Sequence, residues 1–455
     1  MKHRTSWVLF AIFLALSLAG CSLTGVSFQI PVEYHKLGNG LKVVLSPDDT
    51  APIVTVAVYY NIGLRIEPKN RTGFAHLFEH MMFQGSANLG KGEFLRLIQG
   101  QGGVLSGSTR FDFTNYYEIL PAHKLETALW AEADRMKSLD ISTENLKNQQ
   151  GVVVNEVRVN VLDQPYGSFP WLDMPQYANT NWYNAHNFYG DLRDIEAATP
   201  EEVVDFHKAY YTPNNAVLVI TGDFVPREAL AMVKKHFEKI QPFARPGFPD
   251  ISEPRQDKEK VFSQDDPLAN KPAIALSYHM PERLSPEYYA MGLLDQILLK
   301  GQDSLLYQAL VKKEGLTGAV SGGINLLGNM FNYQGPMLWT LSLFYDDIKS
   351  SDKIISAVDL VIEQVRTNRL SQEDLAIALV KMRSGLYNTM EGSFGLGRAD
   401  LLACFALFDD YPGAVYELEE KFKSVTPDLL LKTAQEYLRP SNRTILTIRP
   451  KKAAR

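Results

Sequence analysis

The sequence predicts an α+β protein built as two homologous halves. Three observations point there. Strand-like and helix-like segments alternate along the chain, a proline-rich polar stretch interrupts it, and a block of identities recurs on either side of that stretch at one offset. At 455 residues the chain exceeds a single ordinary core, and domains of about 150 residues put two or three in it. It is 45% hydrophobic and 22% charged with a net charge of −6; disorder requires less apolar surface and more charge. The acidic balance, 52 acidic against 46 basic side chains, argues against the basic face of a nucleic-acid binder.

Residues 1–20 open with Lys2 and Arg4, run apolar from Trp7 to Leu16 and end in small residues. The run is too short to span roughly 30 Å of hydrocarbon as a stable helix, so it reads as a secretory signal. Leu18-Ala19-Gly20-Cys21 resembles the bacterial lipobox, which implies cleavage before Cys21 and lipidation of its thiol. Ser22 behind it implies sorting to the outer membrane, with the protein anchored by lipid alone and facing the periplasm. The competing reading is an uncleaved anchor with an incidental cysteine. Loss of Lys2 and Arg4 takes the charge from −6 to −8. Cys404, in the apolar run Leu401-Leu402-Ala403-Cys404-Phe405, then has no partner and reads as an inert core thiol. Two cysteines also exclude a disulfide framework and a four-cysteine zinc site.

Leu41 to Leu45 and Ile53 to Tyr59 are rich in branched residues and read as strands. Glu126 to Met136 combines good helix formers with an apolar face. Residues 241–272 read as a surface linker. Around it, Thr199-Pro200-Glu201 matches Thr426-Pro427-Asp428, Tyr210 matches Tyr437, Pro213 matches Pro440 and Asn215 matches Asn442, every pair 227 residues apart. Each block is a capped helix leading through a proline turn into an apolar strand. The expected division is therefore a signal at 1–20, one half at 21–240, the linker, and its homologue at 273–455.

The strongest chemical signal is Gly73-Phe74-Ala75-His76-Leu77-Phe78-Glu79-His80-Met81-Met82-Phe83. On a helix, His76 and His80 stand at i and i+4 and project from one face, close enough to share a metal ion. Glu79 lies on the same side. Imidazole suits Zn²⁺, two imidazoles leave room for a third ligand and a water, and a neighbouring carboxylate can take the water's proton as it attacks a carbonyl. Two histidines on a helix can arise by accident, but these sit among apolar neighbours, where unpaired ionisable groups carry a desolvation cost of several kcal/mol.

This H-x-x-E-H pattern resembles the pitrilysin and insulinase family, which includes the mitochondrial processing peptidases. Further similarity lies in Gly102-Gly103, Thr109, Asp112 to Tyr116, Glu132 to Met136, Pro165-Tyr166-Gly167 and Tyr211 to Asn215. The resemblance implies halves that are each a mostly antiparallel sheet packed with helices, together forming half of a clam-like chamber. It implies zinc bound by His76, His80 and Glu156, with 75 residues between the last two, and Glu79 as general base. It also implies that Ser106, Gly107, Ser108 and Thr109 form an edge strand pairing with the main chain of a peptide substrate.

Two departures bear on that implication. Gln149 stands where many members carry a glutamate supporting a metal-binding histidine, and Ser106-Gly107 replaces a common Asn-Ala. In the second half, Gly292 to Gly301 aligns with His76 to Gly85 and carries no histidine. Active members also supply an arginine and a tyrosine seven positions apart to hold the substrate carbonyl; here those positions are Val311 and Gly318. The expectation is a zinc endopeptidase subunit completed by a homologous chain that brings the pair. The alternative is a non-catalytic or weakly active peptide-binding scaffold subunit of a peptidase complex. His123, His186, His207, His236 and His279 have no metal spacing and read as surface or hydrogen-bonded residues.

Overall fold

The computed structural model describes residues 30–451, so the expected signal at 1–20 and Cys21 lie outside the described residues. Among the described residues, eleven strands form two sheets with helices between and around them. The first sheet contains β1 (Glu33–Lys36), β2 (Lys42–Pro47), β3 (Ile53–Tyr60), β4 (Val104–Thr109), β5 (Thr114–Pro121) and β6 (Ala216–Gly222) in the order β1-β2-β6-β3-β5-β4. The second contains β7 (Lys260–Asp266), β8 (Ala273–His279), β9 (Ser321–Ile324), β10 (Leu338–Phe344) and β11 (Arg443–Pro450) in the order β7-β11-β8-β10-β9.

The two orders are the same once β1 is set aside. In each sheet the outer pair runs parallel (β2 with β6, β7 with β11) and every other neighbour antiparallel. The fold is therefore α+β with a duplicated, mostly antiparallel sheet, as the internal repeat predicts. The helices that carry the argument are α1 (Phe74–Met81), α2 (Leu125–Lys137), α3 (Thr143–Val157), α4 (Pro200–Tyr210), α5 (Pro286–Leu298), α6 (Leu396–Asp409) and α7 (Pro427–Tyr437).

The repeated residues do matching work in the two halves. Thr199 caps α4 by accepting from the Glu202 N–H, and Thr426 caps α7 through the Leu429 N–H. The Asn215 amide donates to Tyr210 O at 2.8 Å and Asn61 O at 3.3 Å, tying the end of α4 to the end of β3. Asn442 repeats this with Tyr437 O at 2.7 Å and His279 O at 3.1 Å. A side chain that satisfies two backbone carbonyls at a crossover is costly to replace, which accounts for its appearance in both copies.

One boundary needs correction. The stretch expected as a linker, 241–272, is irregular only in part, because Lys260-Val261-Phe262-Ser263-Gln264-Asp265-Asp266 forms β7 on the edge of the second sheet. Its branched and aromatic residues supply strand character, but their exposure on an edge and the flanking charges make the segment read as loop.

The first sheet is covered on both faces. One side packs on α1, α2, α3 and α4 in a core that includes Val56, Phe78, Leu129 and Phe206. The other receives α6 from the second half, with Lys42 Nζ donating to Ala406 O at 2.7 Å, Arg398 paired with Asp48 at 2.7 Å and Tyr59 donating to Asp400 at 3.0 Å. Cys404 is fully buried on α6, a free thiol whose pKa burial pushes well up, as its apolar setting predicts. No helix among the described residues is long and apolar enough to cross a membrane.

Candidate metal centre

α1 forms because Phe74, Ala75, Leu77, Phe78 and Met81 face the core at helical spacing, leaving Glu79 and His80 on the open side. Its start has no side-chain cap of the usual kind. Gly73 takes φ 84°, and the buried Glu67 accepts from the Gly73 N–H at 2.9 Å and the Ala75 N–H at 2.6 Å. Two orphan donors at the helix start are thereby satisfied. Burial pushes the Glu67 carboxyl up to about 8 against the lowering effect of those N–H groups.

Glu156 arrives on the last turn of α3, which packs on α1, starts at a Ser142 cap and runs on through a wider turn at Arg158–Leu162. His76 Nε2 lies 3.4 Å from Glu156 Oε1, and His80 Nε2 lies 3.1 Å from Oε2. Tetrahedral ligands about 2.0–2.1 Å from a zinc ion stand roughly 3.3 Å apart, so these are ligand-to-ligand separations. Donor atoms of the three side chains all fall within 4.8 Å of one another. The two imidazoles hold the Glu156 carboxyl well below the usual carboxylate range, chiefly by hydrogen bonding, with that to His76 the larger contribution. An ionised carboxylate and two imidazole nitrogens form a donor set that fits zinc.

Beside them, Glu79 Oε2 accepts a 2.8 Å hydrogen bond from Thr109 Oγ1 at the end of β4, the free edge of the first sheet. A Cβ added to Gly107 would stand 3.2 Å from Glu79 Cγ and 3.1 Å from the Tyr116 ring, so the glycine leaves space beside the carboxylate. Ser106 and Ser108 occupy the alternate positions of the strand, and Ser108 Oγ donates to Asn115 at 2.6 Å. The structure thus gathers His76, His80, Glu156, Glu79, Gly107 and Thr109, and turns Ser106 and Ser108 to the other side of β4.

The cleft over the site has a volume of about 260 Å³. Arg110, Trp171, Tyr189 and, from the second half, Leu327 line it in addition to the residues expected from sequence. The Tyr189 ring lies edge-on to His76 at 5.1 Å, and burial together with the charges of Glu156 and Glu79 pushes its phenol up to about 12. These residues lie outside the helix pattern and come from turns that only the folded chain brings together. Gln149 is buried on α3, and the buried Nδ1 of His76 has no hydrogen-bond partner, so the amide does not replace for His76 the support that a glutamate gives a metal-binding histidine in many family members. In the second half, Asp295 takes the place of Glu79 and accepts from Trp339 Nε1 at 2.7 Å. Val311 and Gly318 do not line the metal cleft. His186 and His207 are buried rather than superficial, and His186 bonds to the carbonyls of Trp182 and Leu64.

Fold and site together define a duplicated α+β protein that carries the H-x-x-E-H pattern, with a third donor placed to complete a metal-ligand set. The family model described as Insulinase (Peptidase family M16) matches residues 42–180, and that described as Peptidase M16 inactive domain matches residues 197–381. The chain belongs to this insulinase family of peptidases. Over 99% of its length it is 25% identical to the whole of the zinc protease PqqE from Helicobacter pylori. The crystal structure of a protease from Helicobacter pylori superposes with a TM-score of 0.83 at 24% identity, covering 93% of this chain and 100% of that one. The periplasmic protease PqqL from Escherichia coli superposes with a TM-score of 0.73 at 17% identity, covering 94% of this chain but 48% of that one.

Proposed function

We propose that the chain is the catalytic subunit of a zinc-dependent endopeptidase that cleaves peptides or unfolded segments in a bacterial envelope. The observation that carries this reading is the convergence of His76, His80 and Glu156 at ligand spacing, with Glu79 beside them on the same helix. The name zinc protease on a full-length relative supports it.

His76, His80 and Glu156 would hold the zinc ion, which when bound supplies Lewis-acid polarisation of the scissile carbonyl and lowers the pKa of water. Glu79 takes a proton from the attacking water, whose oxygen bonds to the carbonyl carbon. It returns a proton to the amine nitrogen as the C–N bond breaks. The Thr109 hydroxyl holds one oxygen of Glu79 and leaves the other for the water. The free edge of β4 pairs with the substrate main chain, with Ser106 to Thr109 as its contact residues.

Residues 21–240 form the metal-bearing half in this reading and 273–455 its metal-free homologue. A second homologous chain completes the site with an arginine and a tyrosine, since Val311 and Gly318 offer no side-chain donor. The coverage of about half of PqqL by this chain supports a working unit of two such lengths. A lipid on Cys21 would hold the subunit at the outer membrane, facing the periplasm; the description of PqqL as periplasmic supports that compartment.

The scaffold alternative draws on the name of the inactive-domain model. That match spans 197–381 and contains none of His76, Glu79, His80 or Glu156, so it favours the alternative only weakly. The deciding experiment compares wild type with Glu79→Gln for zinc content and peptide hydrolysis, each alone and with a co-expressed homologue. The expected result is equal zinc and a loss of hydrolysis of about 10²–10⁴-fold in the variant. Unchanged turnover would refute the role of Glu79, and full activity of the solitary wild-type chain would remove the partner.

A further inference from the structure

The face of β4 turned away from the metal opens on a second cavity of about 490 Å³. The register of β4 on β5 sets which residues look into it. Gly107 opposes Tyr116, whose hydroxyl donates to Phe78 O on α1, so Gly107 and Thr109 belong to the metal side. Ser106 and Ser108 oppose Tyr117 and Asn115 and belong to the other side, where Tyr59, Asn332, Asn388, Thr389 and Asp400 are among the residues of the wall. Ser108 and Arg110 line both this cavity and the metal cleft, so the two meet at the free edge of the strand.

A peptide added to that edge as a strand directs alternate side chains to opposite faces. One set faces the metal and the other enters the second cavity. The chemistry waiting there is uneven. The carboxylate of Asp400 is occupied, accepting from Tyr59 OH at 3.0 Å and Asn332 Nδ2 at 3.3 Å. The backbone N–H and C=O of Arg110 are spent on Phe113 O and the Leu64 N–H. Its guanidinium makes no hydrogen bond and no ion pair among the described residues, although the charge of Asp400 is near enough to be felt. A half-buried guanidinium carries five N–H donors in a planar fork that matches a carboxylate.

We propose that this cavity is a side-chain subsite for aspartate or glutamate, with Arg110 as the residue that selects it. The proposal rests on the peptidase reading and adds to it a substrate class: peptides with an acidic residue on the face of the bound strand opposite the metal. An acidic side chain there gains a charge-assisted, two-pronged bond, while an amide of the same shape gains a weaker one.

The test walks a single glutamate along an otherwise neutral peptide cleaved at one site, then replaces it by glutamine or lysine at the best position. Wild type, assembled with its homologue if that is required, should show kcat/KM at least tenfold higher for glutamate than for glutamine at one position. Arg110→Gln should bring that ratio close to one. Arg110→Glu should turn the preference toward lysine, a reversal that misfolding cannot produce. Equal cleavage of all peptides by wild type, or a preference untouched by both substitutions, overturns the subsite and leaves the peptidase reading standing. If no peptide is cleaved, the peptidase reading falls. Binding of the same fluorescent peptides to zinc-loaded Glu79→Gln then decides the subsite alone: tighter binding of the glutamate peptide, lost with Arg110→Gln, upholds it, and equal binding overturns it.

Discussion

His76 offers one ring nitrogen to Glu156 and buries the other without a partner. A ligating imidazole usually donates its second N–H to a carboxylate or carbonyl, which fixes the tautomer and strengthens the ligand. Gln149, seven residues before Glu156 on α3, stands where many members of the family carry a glutamate that supports a metal-binding histidine. Gln149→Glu should therefore tighten zinc binding by about tenfold, the lower end of what such supporting groups contribute. Competition with a chromogenic chelator measures it, and an unchanged affinity would mean that residue 149 does not reach the ring. His76, Glu79 and His80 were legible because a helix turns a spacing into a direction, so that positions i, i+3 and i+4 share a face; Glu156, on another helix, was legible only through the family resemblance. Glu67, Arg110 and Tyr189 were not, since each reaches the site from a turn and no periodicity relates it to α1. Thr109 was legible as part of the edge strand, but not as the donor that holds Glu79.

At the scale of elements, α1 rests on α4, and the contact includes a histidine that does no chemistry. His207 is buried, stacked on Tyr211 with ring centroids 5.8 Å apart and on Phe78 of α1 at 6.3 Å. Burial pushes its pKa from 6.5 down to about 4. The folded protein leaves this ring neutral between those values while the unfolded chain protonates it. Its contribution to stability is thus complete above pH 6.5 and is lost as the pH falls toward 4. The loss between pH 7.5 and 5 is about 2 kcal/mol. Replacing His207 by Phe keeps a stacked ring and removes the proton. In denaturant titrations at the two pH values, wild type should lose about 2 kcal/mol more than His207→Phe. Parallel losses would show that the ring is not held neutral. Elements with a clear period or cap, such as β3, α2 and α4, were readable along the chain. β7 was not, because an exposed edge strand needs no apolar face, and its pairing with β11 joins residues nearly two hundred positions apart.

For the whole molecule, the duplication was legible, and so was the lack of histidines in the second half's counterpart of α1, but the packing of one half on the other was not. The repeat predicts two like sheets, but nothing in it says that α6 of one half covers the sheet of the other. Ala399 and Leu401 to Leu407 are all buried, as expected of a helix apolar on every side and enclosed between layers. The second half also reaches the metal side. The Gln334 N–H donates to Asp112 Oδ2 at 2.9 Å, Asp112 pairs with the buried Arg65 at 2.6 Å, and Leu327 lines the metal cleft. Residues 21–240 alone would therefore keep His76, His80 and Glu156 and lose the cover of their sheet. Lys42, Asp48 and Tyr59 would lose partners, and apolar strand surface would face water at about 25 cal/mol per Å². That fragment, expressed alone, should aggregate or bind a hydrophobic dye, and co-expression of residues 241–455 should restore a soluble complex with bound zinc. A soluble fragment 21–240 that unfolds cooperatively and holds zinc as tightly as the full chain would show that the second half is an independent domain rather than part of the structure on which the metal centre stands.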